Sequence, residues 1–305
     1  MTHHSQSAIR NLQSAIHMTL FAFLLIVAAA FIHASWNLLY KQVGGGVPLL
    51  WLFTTISVVA YFPLAVYILW SQRPPIGPMQ ILFLVGTSLI HIVYFVTLQR
   101  GYRVGDLSVV YPLARGTGPT LSTIIAIVFL GERPSLLALI GALLVIGGVF
   151  VIASGGNKDK ANQGNLRKAV GYGLFIGVLI ACYTIWDRTA VAYYAIPPLI
   201  LDYGSQLARM VFLAPVALRR SSEVTYHWRT HRWQSIGIAL LNPLSYILVL
   251  TAMQTTLVSH VAPARELSIL IGALMGAQLL KEGNVGRRLA AAAAIVAGVV
   301  ALALG

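Results

Sequence analysis

Ten apolar runs, separated by short polar or Pro/Gly breaks, constrain this chain more than any other feature. They fall at roughly 18–40, 48–70, 78–98, 106–129, 134–153, 169–188, 196–218, 234–253, 257–280 and 286–304. A run of about 20 residues is what a helix needs to cross the hydrocarbon core. Ten such runs use roughly 200 positions and leave about 100 of the 305 for loops and tails. The longest polar stretches, Ser154–Lys168 and Arg219–Arg232, are too short for a soluble domain. Charged residues make up 10% of the chain, where a soluble domain carries about 25%. An all-α integral membrane protein with ten transmembrane helices is expected. Arg10 ahead of the first run suggests a cleaved signal, but that run is long for one, so it is read as a span.

The net charge of +13 is spread over short loops, which argues against nucleic-acid binding. In a membrane protein such charge sets orientation. Loops after the odd-numbered spans hold fourteen Lys and Arg: Lys41, Arg100, Arg103, Lys158, Lys160, Arg167, Lys168, Arg219, Arg220, Arg229, Arg232, Lys281, Arg287 and Arg288. The opposite side holds four: Arg10, Arg73, Arg133 and Arg188. This bias predicts a cytoplasmic basic side and both termini outside. Cys182 is the one cysteine, so no intrachain disulfide is expected. No metal-ligand spacing, HExxH motif or nucleophile–base pair stands out, so neither a cofactor nor enzymatic activity is expected.

The chain also reads as one five-span unit used twice. A slide of 150 lays Tyr111-Pro-Leu-Ala-Arg115 over Val261-Ala-Pro-Ala-Arg265, Glu132 over Glu282 and Gly148 over Gly298. A slide of 147 lays Ala34-Ser-Trp-Asn-Leu-Leu-Tyr-Lys41 over Ala181-Cys-Tyr-Thr-Ile-Trp-Asp-Arg188. An odd number of spans per unit inverts the second copy, the architecture of alternating-access carriers with a midplane site. The expected organisation is a polar tail at 1–17, a first repeat at 18–153, a linker at 154–168 and a second repeat at 169–305.

Leu130-Gly-Glu-Arg-Pro134, the Gly-rich Ile140-Gly-Ala-Leu-Leu-Val-Ile-Gly-Gly148, and Ala34-Ser-Trp-Asn37 up to Lys41 carry a family resemblance. On these motifs the chain resembles the EamA family of the drug/metabolite transporter superfamily, from about Thr19 to Leu304. The resemblance implies a ten-helix carrier of small metabolites in the cell (inner) membrane, often an exporter, with no ATPase domain. A flippase for a lipid-linked substrate is the alternative on the same fold. Leu280-Lys-Glu-Gly283 matches the family pattern only in part. The resemblance also implies termini inside, against the charge count.

Arg115 sits among Pro112, Gly116, Gly118 and Pro119, about nine residues and so roughly 14 Å into its span. The prolines predict a break in span 4, and guanidinium at that depth calls for a wet cavity or a partner. Arg265 is its counterpart in the repeat. The two either hold an anionic group in a central cavity or act as struts, with Arg265 paired to an acid such as Glu266.

Other polar groups repeat this pattern of a functional use beside a structural one. Asp202, Gln206 and Arg209 share a face of span 7, as a cavity wall, a coupling pair or an internal network. His33, Trp36, Asn37 and Lys41 share a face of span 1, and Tyr183, Thr184 and Asp187 the matching face of span 6. Trp36 and Tyr183 either stack on a substrate or belong to an interfacial belt, while Lys41 and Arg188 snorkel to water. His91 with Tyr94, and Asn242 with Tyr246, are further binding candidates beside Tyr111, and Asn242-Pro243 predicts a break in span 8. His33, His91 and His260 are candidates for a pH-sensitive step. Asp187, Asp202, Glu266 or a histidine could carry a coupling proton. Glu132 and Glu282 are expected to favour the dipoles of spans 5 and 10. Gly141, Gly147, Gly148, Ala290–Ala294 and Gly298 suit close helix packing, as a homodimer seam or within the monomer. The expected partners are the bilayer and a small molecule, an organic anion or amino-acid-like zwitterion.

Overall fold

The computed structural model describes residues 18–44, 46–104, 107–153, 163–280 and 285–305. Among them every regular element is a helix: α1 Leu20–Val43, α2 Val47–Gln72, α3 Pro78–Val104, α4 Leu107–Phe129, α5 Leu136–Ala153, α6 Gln163–Ala192, α7 Pro198–Arg219, α8 Ser221–Met253, α9 Val258–Ala264, α10 Leu267–Leu280 and α11 Val285–Leu304. Glu282, Lys281, Lys158, Lys160 and Arg10, and with them the tail at 1–17 and the start of the linker, lie outside the described residues. The helix boundaries have local causes. Thr19 opens α1 by accepting a hydrogen bond from Ala22 N at 3.1 Å. Gly44 ends it in the left-handed region, φ 89°, its N–H donating to Tyr40 O. Ser135 opens α5 by accepting from Ala138 N at 3.0 Å.

Five of these segments are long and apolar enough to cross a membrane: Leu20–Val43, Val47–Gln72, Pro78–Gly101, Arg167–Ala192 and Ser221–Met253. Leu113–Phe129, Leu136–Val151 and Ala290–Leu304 are shorter apolar stretches. Phe21, Phe62, Trp70, Phe129, Leu143 and Phe212 are all more than half exposed, a surface that suits lipid and not water. The chain is a multi-pass membrane protein.

Helix breaks differ from expectation at two places. α4 runs through Pro112 and Pro119 without interruption. It is pressed against α6 at glycines: a Cβ on Gly118 would lie 2.5 Å from Ile180, and one on Gly177 2.6 Å from Thr117. That close contact leaves α4 no room to kink. The break falls instead in the partner run, between α9 and α10 at Arg265–Glu266. There Glu266 N donates to Pro263 O and Ile269 N to Glu266 O, both at 2.9 Å, so the chain tightens into three-residue turns. α8 likewise passes through Pro243, and its non-helical residue is His231, φ −129° and ψ 33°. The polar stretch before it is therefore helical, with Tyr226 and Trp228 exposed.

The principal helix pairs are α5 with α11, α4 with α6, α1 with α8, α2 with α7, α3 with α6, α2 with α8, α1 with α10, α4 with α9, and α3 with α7. The small-residue seam lies within the chain. A Cβ on Gly141 would sit 2.7 Å from Gly298 O, and one on Gly298 2.6 Å from Gly141 O. Backbone cannot yield to that, so Gly298→Ala is expected to destabilise the fold by about 1–3 kcal/mol, as overpacking does. Gly147 has open space at its Cβ position and Gly147→Ala serves as the neutral control. Thermal unfolding in detergent reads both, and equal midpoints would exclude the seam.

Candidate functional site

The centre of the bundle gathers polar side chains from α1, α3, α4, α6, α7, α8, α10 and the break before α10. Arg115 comes from α4, and Arg265 and Glu266 from the break between α9 and α10. Glu266 is 1% exposed and faces both cations: Oε2 lies 3.3 Å from Arg115 Nε, and Oε1 3.6 Å from Arg265 Nε. Two guanidinium groups on one carboxylate leave one positive charge unmatched within this triad. Arg115 Nη2 lies 3.5 Å from His33 Nε2 of α1 and donates to Ser268 Oγ at 3.5 Å. Arg265 Nη2 donates to Thr184 Oγ1 of α6 at 3.3 Å. Tyr111 and Tyr183 present their rings to Arg115 and Arg265, at 6.0 and 5.8 Å from ring centre to guanidinium carbon.

A second layer adjoins this triad. Asp187 of α6 is fully buried and accepts a 2.5 Å hydrogen bond from Tyr246 OH of α8. His91 of α3 has Nε2 3.9 Å from the same carboxylate oxygen, while its Nδ1 lies 3.2 Å from Thr87 Oγ1 and 3.4 Å from Ser205 Oγ. The His91 ring stacks on Tyr183 at 4.6 Å, and Tyr94 and Tyr246 meet Tyr183 edge-on at 5.5 and 6.2 Å. Tyr183 is thus an interior ring and not part of an interfacial belt.

On α7, Arg209 Nη1 donates to Gln206 Oε1 at 3.3 Å, and Gln206 Nε2 to Asn242 Oδ1 at 3.5 Å. Arg209 also lies over the Phe95 ring at 4.1 Å. Asp202, buried on the same helix, makes no direct ion pair with Arg209 within 4.0 Å. A cavity of about 70 Å³ beside Arg209, lined by Phe95, Gln99 and Leu213 among others, has room for a few waters.

The structure therefore brings together His33, His91, Tyr94, Tyr111, Arg115, Tyr183, Asp187, Tyr246, Arg265 and Glu266, with Asp202, Gln206, Arg209 and Asn242 alongside. Two candidates stand apart. Asn37 is exposed and its amide donates to His33 O in its own helix at 2.9 Å. Trp36 packs edge-on against His33 at 4.9 Å and against Tyr40 at 6.5 Å, one layer away from the arginines. Lys41 is exposed, but Arg188 is not free in water: its Nε and Nη1 are buried and its guanidinium carbon lies 5.6 Å from the Tyr193 ring centre. His260 is fully buried in α9.

Thr87, Ser205 and Ser268 join the site unannounced. Of these only Thr87 had a sequence signal, one turn before His91 on the same face. Glu132 also acts elsewhere than expected. Its Oε1 accepts from Val258 N at 2.8 Å and its Oε2 from Ser259 N at 2.9 Å, so it caps α9 across the bundle and not the adjacent α5. Among the described residues no group of His, Cys, Asp and Glu could hold a metal ion.

Residues 20–154 match the EamA-like transporter family. A comparison with curated proteins gives no match. One solved structure, titled only "Crystal structure of protein", shares the fold with a TM-score of 0.67 at 16% identity, covering 92% of this chain and 95% of its own.

Proposed function

We propose, for a chain whose residues 20–154 match the EamA-like transporter family, a secondary transporter of a small organic anion or amino-acid-like zwitterion. It works by alternating access around the Arg115–Glu266–Arg265 centre, in the cell (inner) membrane, with export as the direction the family resemblance suggests. The observation that carries this reading is the meeting of two arginines, 150 residues apart in matching positions, on one buried carboxylate. A cation at that depth is expensive and marks a pathway for polar cargo. In the conformation described Glu266 holds both arginines, and on this reading the halves open on either side in turn.

The helix pairing supports ten spans in two inverted repeats. With α1–α5 as one unit and α6–α8, α9 with α10, and α11 as the other, exchanging the units maps the principal helix pairs onto one another. α1 on α8 becomes α6 on α3, α4 on α6 becomes α10 on α1, and α2 on α8 becomes α7 on α3. α2 on α7, α4 on α9 and α5 on α11 map onto themselves. Asp187, with Tyr246 and His91, is the candidate for a coupling proton. The loop charges favour termini outside, so a reporter active only in the cytoplasm and fused after Gly305 is expected to stay silent. Activity there would reverse the orientation.

The function itself is tested by counterflow in proteoliposomes loaded with amino acids, organic acids or their amides. Carboxylates are expected to exchange and the matched amides not. Exchange blind to charge, or none at all, would remove the anion site.

A further inference from the structure

Glu266 is the least satisfied member of the central cluster. It is 1% exposed, and neither carboxylate oxygen has a hydrogen-bond partner. The contacts at 3.3 and 3.6 Å to Arg115 Nε and Arg265 Nε are ion pairs only, since those two nitrogens also lack a hydrogen bond. Each guanidinium spends an Nη2 elsewhere, Arg115 on Ser268 and Arg265 on Thr184. A carboxylate that suited this seat would take two parallel N–H groups from one guanidinium. Glu266 takes none. A buried carboxylate held by charge alone forfeits the hydrogen bonds it would make in water. Its tether favours exchange too, because residue 266 lies in the break between α9 and α10, outside either helix.

We propose that Glu266 is a resident counter-anion: it occupies the anion seat when the carrier is empty, and the carboxylate of the substrate displaces it. This rests on the anion-site reading above. The paired arrangement is then the empty carrier, with one of its two central positive charges balanced by its own side chain. An internal competitor reduces apparent affinity by the fraction of time it holds the seat. It also allows the empty carrier to reorient without leaving two guanidinium groups unmatched. Removing the charge while keeping the shape should therefore tighten carboxylate binding and slow the empty return, so that exchange persists while net efflux falls.

Binding is read on the full-length protein in detergent as the concentration of benzoate that half-maximally raises the unfolding temperature, at fixed ionic strength, with benzamide as the neutral probe. Glu266→Gln is expected to lower the half-saturating benzoate concentration at least 10-fold. Benzamide should behave alike in both proteins, and adding Arg115→Ala should cancel the gain. An unchanged or higher benzoate requirement in a folded Glu266→Gln protein would make Glu266 a strut and overturn the proposal, while Arg115-dependent benzoate binding in the parent would leave the anion site standing. Benzoate binding in neither protein would sink both. Should Glu266→Gln fail to fold, Glu266→Asp, which withdraws the charge by one methylene, must lower the benzoate requirement. An equal or higher value would again overturn the proposal.

Discussion

Arg115→Ala is expected to lower the counterflow of a carboxylate substrate roughly 30-fold or more, the effect of losing one partner of a desolvated charge pair worth at least about 2 kcal/mol. The protein should still fold. Without Arg115, the buried Glu266 carboxylate keeps Arg265 at 3.6 Å, so no charge is left bare. Arg265→Ala should behave alike, leaving Glu266 with Arg115 at 3.3 Å. The double variant is different in kind. It strands Glu266 with no cation, and an uncompensated buried charge costs about 3–5 kcal/mol. The two single variants should thus separate transport from stability, and the double variant should lose both. Arg115→Lys is the sharper control, since it keeps the charge but not the planar fork. Counterflow near the parental value in Arg115→Ala would reduce the arginine to a structural role.

How much of this was legible in the sequence depends on range. α1, α2, α4, α5 and α11 begin and end within a few residues of their apolar runs, because hydropathy and caps such as Thr19 and Gly44 are local. The choice of which proline-bearing run breaks was not local. Pro112 and Pro119 remove two helical hydrogen bonds, yet α4 stays whole because α6 packs its glycines against it. In the matching run, Pro263 is followed by three-residue turns and the helix does part. The stripe that carried Asp187 and the polar pair His91 with Tyr94 do lead to one place, where His91 Nε2 lies 3.9 Å from the Asp187 carboxylate. The same rule put Asn37 beside His33, one turn away, but its amide turns back onto its own helix. Glu266 pairs with both arginines in this conformation, the pairing that the sequence offered for Arg265 as the alternative to an open anion site. The Glu132 contact spans 126 residues, and no spacing rule reaches that far.

The Glu132 contact also holds the short helix that leads into the arginine site. α9 has seven residues, too few to hold helical form alone in the absence of tertiary contacts. Its first two N–H groups, on Val258 and Ser259, are donors that a helix cannot satisfy internally. Glu132 satisfies both, with a charge at the positive end of the helix and little exposure to water. Glu132→Ala leaves two buried donors bare, at about 1–3 kcal/mol each. Glu132→Gln keeps one acceptor and sets an NH2 group against the other donor, so it should fall between. The consequence for transport follows from geometry. α9 leads directly into Arg265 and Glu266, and an arginine moved by about 1 Å loses a fitted contact that depends on alignment. Counterflow in Glu132→Ala is expected to drop at least 10-fold at temperatures well below its unfolding midpoint, where the whole population is folded. That margin distinguishes misalignment from loss of protein. Full counterflow in such a folded but destabilised variant would mean that packing against the neighbouring helices positions α9, with Glu132 contributing stability and nothing to the site.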